Sequence, residues 1–136
     1  MDTSRISDHK FVVDLSQSEL DDLHDRLEHA RYPIDFNNDD WRMGVNREYL
    51  EALVAYWRHD YDWRAEEARI NSFNQYKLDI EGMPIHFIVE PGVGPDPRPL
   101  ILSHGWPWTF WDYHELIGPL SDPASHGGDA ADAFDV

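Results

Sequence analysis

The apolar run Pro99-Leu100-Ile101-Leu102-Ser103 leads straight into His104-Gly105-Trp106-Pro107, and this junction constrains the fold more than any other stretch of the chain. A short apolar run bounded by proline and glycine predicts a buried strand. A strand that ends in a glycine-containing turn can lift a backbone N–H into a cleft, where it opposes negative charge developing on a bound oxygen. One such donor is half of an oxyanion hole; the other half, a nucleophile and its base would come from later strands.

The residues before this junction change period once. Ser16 followed by Glu19 forms a capping box, and Leu20, Leu23, Leu27 and Ala30 recur at helical spacing, predicting a helix that ends near Tyr32 before Pro33. Residues 34–44 read as a loop with Trp41 as an anchor. Asn46 caps a second helix with Leu50, Leu53, Val54 and Trp57 on one face, and Asp62 caps a third from Trp63 to about Ile70. From Tyr76 the period becomes two: Tyr76, Leu78 and Ile80, a turn at Glu81-Gly82-Met83-Pro84, then Ile85 to Val89, which is a hairpin. Glu90 to Pro99 holds four prolines and two glycines, excluding helix or central strand. After the turn, Thr109 caps a helix carrying Phe110 to Ile117 and ended by Gly118-Pro119, and Phe134-Asp135-Val136 reads as the start of a further strand. The expected organisation is a helical region at 1–75 and the start of a sheet domain at 76–136, in α/β class.

Composition narrows the partners. With 27 Asp and Glu against 11 Lys and Arg, the net charge of −16 repels nucleic acid and anionic membrane. The acidity runs along the whole chain and reads as a solvated surface; a high-salt cell interior and simple compositional drift both account for it. No cysteine is present, which excludes disulfides and thiolate chemistry. The sequence carries no signal-peptide pattern and no apolar window of about 18 residues, so a soluble cytoplasmic protein is expected. The 41 % apolar content, with six each of Trp, Tyr and Phe, suffices for a core.

Two blocks of residues resemble one family together. Trp41-Arg42-Met43-Gly44-Val45, Tyr49-Leu50, Tyr56-Trp57, Tyr61-Asp62-Trp63-Arg64, Glu67, Asn71, Phe73 and Gln75, then Ile80, Gly82 and Ile85 to Ile88, are similar to the N-terminal region of microsomal-type epoxide hydrolases. His104-Gly105-Trp106-Pro107 with Phe110-Trp111 falls where that family carries its HGXP turn. The resemblance implies an α-helical N-terminal arm followed by the first strands and helix of an incomplete α/β-hydrolase fold. It further implies hydrolysis of an epoxide to a vicinal diol through a covalent aspartyl ester. On this mapping the Trp106 backbone N–H is the oxyanion donor, Pro107 fixes the turn through a cis bond, Gly105 lets the backbone bend without a side-chain clash, and His104 is a structural hydrogen-bonder in the turn. The nucleophile, the base and the cap tyrosines fall outside this chain, which reads as truncated and inactive alone; no cofactor is implied. The partners implied are a small epoxide and a complementary C-terminal polypeptide. Trp108 and Thr109 depart from the family's usual Gly and Ser, and Asn74 from a frequent Pro; the family's membrane anchor is not found.

Other patterns read as structural. Gly127-Gly128-Asp129 imitates a nucleophile elbow but lacks the strand before it and the helix after it. Asp112 reads as an exposed or capping carboxylate. His24, His29, His59 and His114 show no zinc-ligand spacing, so no metal is expected. Tyr56, Trp57, Tyr61 and Trp63 read as packing before ligand groove, and Gly92 and Gly94 lack the setting of a dinucleotide fingerprint. Two alternatives stay open: another α/β-hydrolase such as a haloalkane dehalogenase, against which the helical arm argues, and a non-catalytic module that pairs with a second polypeptide.

Overall fold

The structure, a computed structural model, describes residues 4–136. They divide into two compact units, one formed by residues 14–66 and the other by residues up to 13 together with 67–136.

In the first unit, α1 (Gln17–Glu28) begins with the predicted capping box. Glu19 donates its N–H to the Ser16 hydroxyl at 3.3 Å, and its carboxylate accepts the Ser16 N–H at 2.9 Å. The helix stops at Glu28, short of the expected Tyr32. Its last turn tightens there, with the Ala30 N–H reaching back to Leu27. Asn46 caps α2 (Arg47–His59) by accepting the Tyr49 N–H at 3.1 Å.

The segment between them is ordered by one amide. Asn38 is buried, accepts the Met43 N–H at 2.8 Å and donates to the Gly44 carbonyl at 2.9 Å. Asp35 accepts the backbone N–H groups of Arg47 and Asn38, and these two bonds hold its carboxyl below the usual carboxylate range. Trp41 packs on Tyr49 with ring centroids 5.0 Å apart. Asp62 caps α3 (Trp63–Ile70) by accepting the Ala65 N–H, and the division between the units falls inside this helix.

The second unit is built on the predicted hairpin. β1 (Gln75–Ile80) pairs antiparallel with β2 (Met83–Ile88). Only Glu81 and Gly82 form the turn, at φ 54° and 84°, the left-handed pair that a two-residue connection requires. Met83 and Pro84 belong to the strand, not the turn as expected. Pro84 is tolerated because it faces Asp79 in a pair that exchanges no backbone hydrogen bond. That phase follows from Val89 donating to Asn74, which puts the ladder bonds on Tyr76–Phe87 and its alternates.

Two short strands, β3 (Arg98–Pro99) and β4 (Phe134–Asp135), pair in parallel. Glu90 and Val136 exchange N–H to carbonyl bonds of 2.8 and 2.9 Å, which places Val136 between the end of β2 and the β3 segment. The run Leu100 to Ser103 corrects the sequence reading: it makes no ladder strand, and Ile101 is 90 % exposed. A strand needs a neighbour, and apart from the Leu100 N–H, which donates to Asp135, the run has no backbone–backbone bond among the described residues.

After the turn, Thr109 and Asp112 cap a 3-10 turn, Phe110–Tyr113, which passes into α4 (His114–Ser121). Gly118-Pro119 does not end this helix as expected. Pro119 sits inside it, where the missing N–H removes one bond close to an end that closes at Asp122.

The core is thinner than the apolar content suggests. The first unit buries Leu20 and the second Ile70, Tyr76, Val89, Ile117 and Ala133, and no large side chain among the described residues is fully buried. Tyr56 and Trp57, expected to be packed, are 52 % and 44 % exposed. With Leu15, Leu20, Leu23, Leu53, Tyr61 and Trp63 they line an apolar groove of about 460 Å3. Two helices facing each other cover one face of each and leave the groove between them open. No described helix is long and apolar enough to cross a membrane.

Candidate oxyanion turn and its surroundings

His104 to Pro107 form the exposed turn the sequence predicts. The Trp106–Pro107 peptide is cis, and the chain closes on itself through a 2.8 Å bond from the Trp108 N–H to the Gly105 carbonyl. The Trp106 side chain is 94 % exposed, and its backbone N–H has no hydrogen-bond partner among the described residues. Gly105 differs from expectation. A Cβ there meets nothing within 4 Å, and its φ is not in the left-handed region, so this turn does not depend on glycine to avoid a clash.

A cavity of about 590 Å3 lies beside the turn. Its walls are the end of β2 from His86 to Val89, the extended residues Leu100 to His104, the helical residues Phe110, Tyr113 and Ile117, and Val136. The Tyr113 hydroxyl donates to the Ser103 carbonyl at 3.0 Å and ties helix to turn. No Asp or Glu side chain among the described residues belongs to these walls.

The two candidate aspartates have structural roles. Asp129 accepts the Ala131 N–H at 2.9 Å as the cap of a 3-10 turn and follows Gly127, a left-handed cap at φ 84°. Asp112 accepts the Thr109 N–H at 2.7 Å in the second capping box. Trp111 is stacked on His114 at 4.3 Å and faces the edge of Phe73, with the Arg69 guanidinium 5.6 Å from its ring. His114 bonds the Trp111 carbonyl and Glu115, so it serves this cluster.

Sequence reasoning missed a polar relay through three of the family-like residues. Asn71 accepts the Val13 N–H at 2.9 Å and donates to the Val13 carbonyl at 2.7 Å. Buried Gln75 donates to the Ile70 carbonyl and to Asn71. Its Nε2 is thereby committed, so its oxygen meets His86 Nε2 at 3.0 Å and that nitrogen carries the proton. The signal was an Asn, a Gln and a His among apolar neighbours, which need partners when buried.

His86 lies between Phe11 and Phe110. Burial, with a smaller contribution from Lys77, pushes its pKa below the ordinary value of 6.5. The unfolded chain then binds more protons than the folded one once pH drops through 6.5, so stability falls on acidification and the loss is complete below the folded pKa. Urea midpoints measured between pH 8 and 5 therefore decline, and His86→Gln reduces the decline; an unchanged slope in that variant would assign it elsewhere.

A helical arm, an antiparallel hairpin, a parallel strand pair and a glycine-proline turn with an unengaged amide are the opening elements of an α/β-hydrolase. Comparison with known proteins agrees. Residues 8–113 match the family model described as the epoxide hydrolase N terminus, and the chain belongs to that family. It is 38 % identical over 130 residues to Epoxide hydrolase 1 of Oryctolagus cuniculus, covering 93 % of this chain and 29 % of that protein. Among solved structures it is similar to the Aspergillus niger epoxide hydrolase, with TM-score 0.76, 29 % identity, and coverage of 90 % of this chain and 32 % of that one. Juvenile hormone epoxide hydrolase from the silkworm Bombyx mori matches with TM-score 0.75 at 25 % identity, covering 82 % of this chain and 30 % of that one. The chain thus spans about a third or less of the proteins it matches. The family match includes the helical arm, the feature that argues against a haloalkane dehalogenase.

Proposed function

We propose that this chain supplies the helical arm (1–75) and the oxyanion-side start of the sheet domain (76–136) of an epoxide hydrolase, and that turnover requires a complementary C-terminal polypeptide. In this reading an aspartate of that polypeptide attacks an epoxide carbon, the C–O bond breaks, and tyrosines protonate the departing oxygen. A histidine then takes a proton from water, which adds to the ester carbonyl. The oxygen of that carbonyl becomes negative, and the Trp106 N–H donates to it. Collapse releases the diol as the departing alkoxide takes the acid proton, which restores the carboxylate, and the histidinium returns its proton to the tyrosinate.

The observation supporting this assignment is the Trp106 amide, which is engaged by no group among the described residues in a turn held by the cis Trp106–Pro107 bond. The cavity beside it is walled by the end of β2, Leu100 to His104 and the helical residues Phe110, Tyr113 and Ile117. Assay of the 136-residue protein with styrene oxide or a stilbene oxide should yield no diol above the uncatalysed background. Diol formation abolished by Asp129→Asn would overturn the reading, since Asp129 would then be the nucleophile.

A further inference from the structure

The turn that carries the Trp106 amide is held from both sides, at Ser103 and at Thr109, three residues before and three after Trp106. On the entering side the Tyr113 hydroxyl donates to the Ser103 carbonyl at 3.0 Å. On the leaving side the Asp112 carboxylate accepts the Thr109 N–H at 2.7 Å. Asp112 and Tyr113 are consecutive residues of one 3-10 turn, so both holds stand on a single piece of backbone. Their separation changes only if that piece deforms.

The 3-10 turn is itself braced. Phe110 meets the His86 ring in a T-shaped contact at 4.8 Å, and His86 is bonded to the Gln75 amide oxygen. Trp111 stacks on His114 at 4.3 Å, faces Phe73 at 6.0 Å and donates its N–H to the Thr109 hydroxyl at 3.2 Å. Rings packed on both sides leave Asp112 and Tyr113 few orientations. An oxyanion donor demands such bracing, because a hydrogen bond weakens steeply with angle and the N–H must meet an oxygen about 2.7–3.1 Å away. A turn fastened at one end could swing about that end; fastening at both ends fixes the peptide plane between them.

We propose that Asp112 and Tyr113 are positioning residues of the oxyanion site, setting the direction of the Trp106 N–H through the Thr109 N–H and the Ser103 carbonyl. Neither engages the Trp106 amide directly, since that N–H has no partner among the described residues. The proposal deepens the epoxide hydrolase reading above and rests on it. Tyr113 lines the cavity, yet its role is not that of an acid: a phenol has one proton, and this one is given to Ser103. Packing alone would need the ring and not the hydroxyl.

Tyr113→Phe keeps the ring and tests the hydroxyl. In the 136-residue protein, exchange of the Trp108 amide, bonded to the Gly105 carbonyl inside the turn, quickens about tenfold. The Val89 amide, bonded to Asn74, keeps its rate, which separates a loosened turn from a loosened fold. In the complete hydrolase, release of diol from the alkyl-enzyme slows about tenfold while single-turnover consumption of epoxide is unchanged. With the Trp106 amide replaced by an ester no N–H is left to aim, and Tyr113→Phe then slows hydrolysis no further. Asp112→Ala follows the same pattern, and Asp112→Asn, which keeps an oxygen for the Thr109 N–H, recovers most of what alanine loses. An equal loss in the ester background would show that Tyr113 acts on something other than the Trp106 amide, and unchanged Trp108 exchange would show that the turn needs no hold; either overturns the proposal. If the ester by itself cost nothing, the oxyanion reading of Trp106 would fail and the proposal with it, an outcome told apart by the variant that reveals it.

Discussion

Exchanging the Trp106 amide for an ester, with the indole retained, should lower the turnover of the complete epoxide hydrolase proposed above by about 10²- to 10³-fold, the cost of one oxyanion donor. The substitution replaces one N–H by oxygen and leaves the cis bond to Pro107 in place. In the proposed mechanism the donor acts on the ester carbonyl, so the two half-reactions separate. Consumption of epoxide in a single turnover proceeds at the unmodified rate, whereas the alkyl-enzyme accumulates and diol appears slowly. Trp106→Ala keeps the N–H, so it should retain more turnover than the ester variant does. An ester variant that slowed both half-reactions equally would assign Trp106 to binding or to folding instead.

Local signals carried most of the fold. Ser16 with Glu19, Asn46, Asp62 and Thr109 each declare a helix start through one side-chain oxygen, and all four make those bonds. Glu81-Gly82 declares its hairpin through backbone conformation alone. Helix ends were harder to read. Apolar spacing carried α1 to Tyr32 although its last turn closes at Glu28, and Pro119 was taken as a stop although α4 absorbs it.

Non-local pairing was the least legible. Leu100 to Leu102 have the composition of a buried strand, but burial and ladder bonds depend on what lies alongside, and Ile101 is nearly fully exposed. The relay from Val13 through Asn71 and Gln75 to His86 is hidden for the same reason: its members are remote in sequence, and no periodicity links them. At the candidate site, the turn and its cis proline were readable, while the structural employment of Asp112 and Asp129 required the caps themselves.

Gly94→Ala should destabilise the second unit by about 2–3 kcal/mol, at the upper end for overpacking. A Cβ at Gly94 falls on the carbonyl oxygen of Ala130 and comes within 2.9 Å of the Ala133 Cβ. Neither obstacle is a flexible side-chain end: one is main chain, and Ala133 is 1 % exposed. The turn at Ala130–Asp132 must therefore move, and Ala133 is the residue whose carbonyl accepts the Arg98 N–H at the start of the β3–β4 pairing. The displacement passes into β4 and loosens the hold of Val136 between its neighbours. Gly105→Ala is the matched control, because its new methyl meets nothing within 4 Å; it should shift stability by less than about 0.5 kcal/mol. Urea unfolding followed by tryptophan fluorescence compares the two. Similar midpoints would mean that the 130–133 segment yields without cost, and that the close approach at Gly94 does not fix where β4 begins.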